Sequence, residues 1–218
     1  MGTITRSFAN NITTSGVLLP ASLNNNSIAN VTAYNASVST GGMVLISSQT
    51  ASNSASISFT TGINSTYKEY QFYFINIRPA TDSVDLQFNL STDSGSNYNV
   101  TKTSTYFRAS LDEAGTGGDV GYKTNLDLAQ STAFQSLSDR SGNGADESVS
   151  GLMSLFNPAS TTYVKHFIAT TNNYLFADYT DASYVAGYGN TTSAINAIQF
   201  KFSSGNITDG TILMYGIV

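Results

Sequence analysis

The chain contains no cysteine, no tryptophan and a single histidine among its 218 residues. Without cysteine there is no disulfide, no thiolate metal site and no thiol nucleophile. One histidine cannot hold zinc without cysteines or further histidines. A Ser-His-Asp triad would have to centre on His166, and no Gly-x-Ser-x-Gly elbow accompanies it. Charge is scarce too: charged residues make up 11% of the chain, against roughly 25% in ordinary domains. The nine Lys and Arg residues are scattered singly. Phosphate backbones are bound by clustered basic side chains, so no nucleic-acid partner is expected. No run approaches the roughly 18 apolar residues of a membrane helix, and no membrane partner is expected. Residues 1–6 carry no apolar leader core, and Arg6 stands where myristoylation wants Ser or Thr.

What the chain does have is bulk and alternation. Hydrophobic residues make up 40%, with 13 Tyr and 12 Phe. Ser, Thr and Asn take the place of charges on the wet positions. Runs such as Gln71-Phe72-Tyr73-Phe74-Ile75 and Gln199-Phe200-Lys201-Phe202 alternate large apolar and polar residues. Period two marks strands with one buried and one wet face. Strands are expected at residues 43–48, 54–60, 69–78, 84–91, 98–109, 149–156, 163–171, 183–188, 195–203 and 211–217. Turn residues separate them, among them Thr61-Gly62, Asp93-Ser94-Gly95, Asn157-Pro158 and Asp209-Gly210. The expected fold class is all-β: an antiparallel β-sandwich, jelly-roll-like, with an extended N-terminal arm. Leu86, Phe88, Phe200 and Phe202 are expected to point inward.

The organisation has two parts. Residues 1–40 are rich in Asn, Ser and Thr and read as an assembly arm anchored by Phe8, Val17, Leu18 and Leu19. Residues 41–218 read as the sandwich, with a long loop insertion near 110–148. Long loops inside compact domains are functional or disordered, so this one is expected to meet a neighbour or ligand. A short helix is expected at 125–137, where Leu126, Ala129, Ala133 and Leu137 fit one helical face.

Few residues suggest chemistry. Ser91-Thr92-Asp93-Ser94-Gly95-Ser96-Asn97-Tyr98 has the form of an Asp-box, in which Asp accepts turn N–H groups and an aromatic packs beneath a hairpin. Asp139, Ser141 and Asn143 match the first half of a calcium loop, but Ser150 stands where the bidentate Glu belongs. They are a weak metal candidate beside the reading of a polar turn. His166 alternates with Val164 and Ile168 and reads as a half-buried strand residue. The pairs Asp112-Glu113 and Asp146-Glu147 lie in Gly-rich segments without the fixed separation that glycoside hydrolysis needs. Tyr174, Tyr179, Tyr184 and Tyr188 form the candidate binding cluster, suited to interfaces or sugar stacking. No catalytic residue and no cofactor is expected.

Four segments carry a resemblance: residues 2–12 (GTITRSFANNI), 57–67 (ISFTTGINSTY), 156–163 (FNPASTTY) and 203–216 (SSGNITDGTILMYG). Together they resemble small β-structured virion proteins of tailed, marine-type bacteriophages. The resemblance implies a non-enzymatic structural protein located in the virion, foremost a capsid decoration or cement protein on the particle exterior. The alternative it implies is a tail fibre or baseplate receptor-binding protein contacting host surface glycans. The expected partners are copies of itself, as a trimer, and other virion proteins such as the major capsid or tail proteins.

Overall fold

The structure is a computed structural model and describes residues 42–218. The arm anchors Phe8, Val17, Leu18 and Leu19 lie outside the described residues. The described chain is all strand and turn, with these elements: β1 (Met43–Thr50), β2 (Ile57–Phe59), β3 (Glu69–Pro79), β4 (Leu86–Ser91), β5 (Lys102–Asp112), β6 (Gly118–Tyr122), β7 (Gln135–Ser136), β8 (Val149–Phe156), β9 (Lys165–Leu175), β10 (Tyr179–Gly189), β11 (Ala197–Phe202) and β12 (Ile207–Ile217). Each strand expected from alternation is present. The unexpected strands, β6 and β7, fall in the segment read as a loop.

The strands form two antiparallel sheets packed as a sandwich. One has eight strands in the order β1-β12-β3-β8-β9-β10-β5-β6; the other has four, β2-β11-β4-β7. With β5–β6 and β9–β10 set aside, the first strand pairs with the last (β1 with β12) and the second with the last but one (β2 with β11). The inner pairs are β3 with β8 and β4 with β7. That nested pairing is the jelly-roll topology, a long hairpin folded over itself into two Greek keys. β5–β6 and β9–β10 are insertions into it. They extend only the large sheet, past β8.

The core follows from the alternation. Leu86, Phe88, Phe200 and Phe202 are buried, as expected. Phe200 of β11 sits at the centre, its ring centroid 5.2 Å from Phe74, 5.4 Å from Phe72, 6.4 Å from Phe59 and 6.5 Å from Phe88. It joins the two sheets through edge-on and tilted aromatic contacts.

Two expectations about the 110–148 segment are corrected. No helix forms at 125–137. Leu126 and Leu137 are buried while Ala129 and Ala133 are exposed, so the apparent helical face is split. Polar side chains fix the segment instead, to strand backbone and to its own backbone. Ser138 Oγ accepts the Leu86 N–H at 2.9 Å, and Gln135 Nε2 donates to Leu126 O at 2.8 Å. The segment is also no free loop. Ser131 bridges Lys102, Ser141 bridges Val84 and Leu175, and residues 135–139 are buried. It lines the inner side of the inserted strands.

The Asp-box reading holds in its turn chemistry. Asp93 Oδ1 accepts the Asn97 N–H at 2.9 Å and the Ser91 hydroxyl at 2.6 Å. Gly95 has φ +88°, and a Cβ there would lie 2.6 Å from the Tyr98 hydroxyl. These hydrogen bonds hold the Asp93 carboxyl down at about 2, the Ser91 hydroxyl contributing most. The turn does not close a hairpin, however. β4 and β5 belong to different sheets, so it braces a crossing between layers.

Candidate functional site: the outer face of the large sheet

An antiparallel sheet with one wet face normally shows polar residues outward. The four-stranded sheet does so: Ser58, Gln87, Gln199 and Lys201 face out, and Gln199 Nε2 donates to Ser58 Oγ at 3.0 Å. The extension of the large sheet mixes uncharged polar residues with exposed apolar and aromatic ones. Pairing across β9, β10 and β5 sets the outward residues in rows: His166–Tyr188–Thr103, Ile168–Ala186–Thr105, Thr170–Tyr184–Phe107 and Asn172–Ala182–Ala109. β6 continues the last two rows with Tyr122 and Val120. No Asp, Glu, Lys or Arg occupies any of these positions.

The aromatic row forms a ridge. Phe107 and Tyr184 stack with centroids 4.9 Å apart and planes 10° from parallel. Tyr122 lies opposite Phe107 and donates its hydroxyl to Asp127 at 2.6 Å. Beside the ridge, Ala186 forms the floor of two depressions. One of about 460 Å³ is bounded by His166, Tyr188 and Thr103. The other, of about 190 Å³, is bounded by Phe107, Tyr184 and Thr170. Both share Ile168 and Thr105. Ile168 is 54% exposed, Phe107 46% and Val120 78%.

The candidate tyrosines do not form one cluster. Tyr184 and Tyr188 lie on this face. Tyr174 also turns outward, but its hydroxyl is held by Glu113 at 2.8 Å and Asp178 at 3.2 Å. Those carboxylates push the Tyr174 phenol up, the Glu113 hydrogen bond most. Tyr179 lies at the far end of β10, against a polar cavity of about 400 Å³ lined by Arg108, Asp119, Arg140 and Leu175. His166 is exposed and turned outward, not half-buried, with its ring 6.2 Å from Tyr188. The alternation was legible in the sequence, but the buried side of it carries Lys165 and Phe167.

Asp139, Ser141 and Asn143 have separate partners. Asp139 Oδ2 accepts Arg108 Nη1 at 2.6 Å, and Asp181 Oδ2 accepts the same nitrogen at 2.8 Å. Ser141 bonds Ser138 at 2.8 Å, and Asn143 donates to Ala80 O at 3.3 Å. Among the described residues no group of His, Asp and Glu is arranged to hold a metal. Asp181 is fully buried, and burial pushes its carboxyl up against the opposing charge of Arg108. Two carboxylates tied to one guanidinium are a structural ion cluster, not a free acid–base pair. Asp112 and Glu113 are likewise engaged: Asp112 accepts the Thr116 N–H at 2.7 Å, and Glu113 accepts Tyr174.

Sequence reasoning missed two buried lysines. Lys102 and Lys165 are 0% exposed and flank Gly189, which pairs with both. Lys102 Nζ donates to Asn89 Oδ1 at 2.5 Å and Val100 O at 2.9 Å. Lys165 Nζ donates to Tyr163 O at 2.6 Å. Each shares a strand side with a large aromatic, Lys102 with Tyr106 and Lys165 with Phe167, a hint in the sequence that needed the tertiary structure to decide which side is covered. Burial pushes the Lys102 ammonium down to about 7, from 10.5. Between those values the unfolded chain holds more protons than the fold, so stability rises with pH across that window. It is lost as pH falls towards 7. Lys102→Met is expected to remove about 1 kcal/mol per pH unit from the slope between about pH 7.5 and 9. Urea melts at both ends of that range check it, and an unchanged slope refutes a depressed Lys102.

No family model matches the chain, and neither a curated protein nor a solved structure matches it.

Proposed function

We propose that this chain is a non-enzymatic structural protein of a bacteriophage virion, a decoration or cement protein on the particle exterior. One observation carries the reading most: the contrast between the two outer faces. The small sheet presents amides and hydroxyls, while the large sheet's extension presents a ridge and hollows with no charge. Exposed Phe107, Tyr184, Ile168, Val120 and Tyr122 gathered on one uncharged face mark an interaction site. The strands that build it are the insertions into the jelly roll. Jelly rolls recur in viral capsid and lectin domains, although a fold by itself leaves the function open. The resemblance of the four sequence segments supplies the virion.

The second reading, a fibre or baseplate protein binding host glycans, draws on Tyr184 and Tyr188. Both rings are outward on one strand, where aromatic faces can stack on sugars. Immunogold electron microscopy of virions from the encoding phage separates the two. Label over the head is expected. Label at the tail tip, with glycan-array binding by the isolated protein, supports the second reading. Absence of the protein from purified particles overturns both.

A further inference from the structure

We propose that the uncharged outer face of β9, β10, β5 and β6 pairs with the same face of a second copy of this chain across a two-fold axis. The inference rests on the structural-protein reading and names the partner of its face.

Charge decides the kind of occupant first. A charged partner surface laid on this face would lose its hydration and find no opposite charge, which is costly. The fitting surface is itself uncharged and partly apolar, and this face is one. Relief decides next. The Phe107–Tyr184 ridge runs beside the hollow floored by Ala186, so one face carries both a projection and a recess. A two-fold rotation brings the ridge of each copy towards the recess of the other, the self-matching arrangement of an isologous contact.

Area is sufficient. Three strands of 11 residues and the 5 residues of β6, spaced about 4.8 Å apart and rising about 3.3 Å per residue, span roughly 600 Å². Stable interfaces bury roughly 600–1,000 Å² on each partner. Sheets packed face to face lie about 10 Å apart, which suits side chains of the size of Ile168 and Tyr184. A threefold ring would need two different surfaces on each copy, and this one face does not supply them.

The test is the mass of the full chain in solution, by light scattering coupled to size exclusion across micromolar concentrations. Twice the 23.1 kDa chain mass is expected. Ile168→Asp and, separately, Thr105→Arg place a charge on exposed positions, so neither disturbs the core. Each is expected to weaken pairing by at least about 100-fold, with unchanged circular dichroism. Gln199→Asp, on the polar face of the other sheet, is expected to leave the mass unchanged. A monomer at every concentration, a mass of three copies, or a dimer that survives both face variants overturns the pairing. A monomer still found on virions overturns the pairing and leaves the structural reading standing. A dimer absent from virions does the reverse.

Discussion

Truncating Phe200 to alanine is expected to lower the unfolding free energy by about 3–5 kcal/mol, the range for removing a buried aromatic. Phe200 is fully buried and touches rings from both sheets: Phe72 and Phe74 of β3, and Phe59 and Phe88 of β2 and β4. Its loss removes apolar burial and opens a cavity at the one place where four other rings converge. Those rings are held by strand pairing on either side, so collapse into the gap is restricted. Phe200→Leu retains part of the volume and is expected to cost clearly less. Chemical denaturation of both variants checks this. A loss below about 1 kcal/mol for Phe200→Ala would show that the centre of the sandwich lies elsewhere.

The second large effect is expected at Arg108. Its Nη1 holds two buried carboxylates, Asp139 and Asp181. Burial works against the guanidinium charge, and the two aspartates outweigh it. Arg108→Met leaves the fully buried Asp181 without its ion-pair partner and Asp139 with only Arg140 Nε at 3.5 Å, at an expected cost of about 3–5 kcal/mol at neutral pH. The pH dependence has a definite sign. The Asp181 carboxyl already lies above its ordinary 3.8 because of burial, and loss of Arg108 raises it further. A raised folded value means stability that is fully present below the unfolded value and lost as pH rises through the folded one. The deficit of Arg108→Met is therefore expected to be small near pH 3.8 and to grow as pH rises above it. Replacing Asp139 and Asp181 with leucine in the same variant removes the orphaned charges and is expected to recover most of the loss. A deficit independent of pH would refute the ion cluster as its source.

Alternation determined much of this molecule from the sequence alone. Gln199-Phe200-Lys201-Phe202 states which residues face in, because a strand has only two sides. The same rule placed β8 at Val149–Phe156 and located each long strand. Asp93, Gly95 and Tyr98 stated their turn, because its hydrogen bonds and positive φ are local. The sandwich class followed from short strands at regular spacing.

Tertiary structure decided what depends on partners distant in sequence. β7 has two residues, Gln135 and Ser136, and exists as a strand because β4 lies beside it. Leu126, Ala129, Ala133 and Leu137 carry a helical spacing, yet side-chain bonds to backbone, of β4 at Leu86 and of the segment itself at Leu126, won over it. His166 and Lys165 alternate, but alternation does not say which side is covered. The inner layer took the lysine, with backbone carbonyls satisfying its ammonium. The candidate face has the same origin. Ile168, Ala186 and Thr105 read in the sequence as ordinary members of separate strands, and Tyr122 as part of a loop. Only the pairing of β9, β10, β5 and β6 sets them side by side, because inter-strand hydrogen bonds join residues by register and not by proximity along the chain.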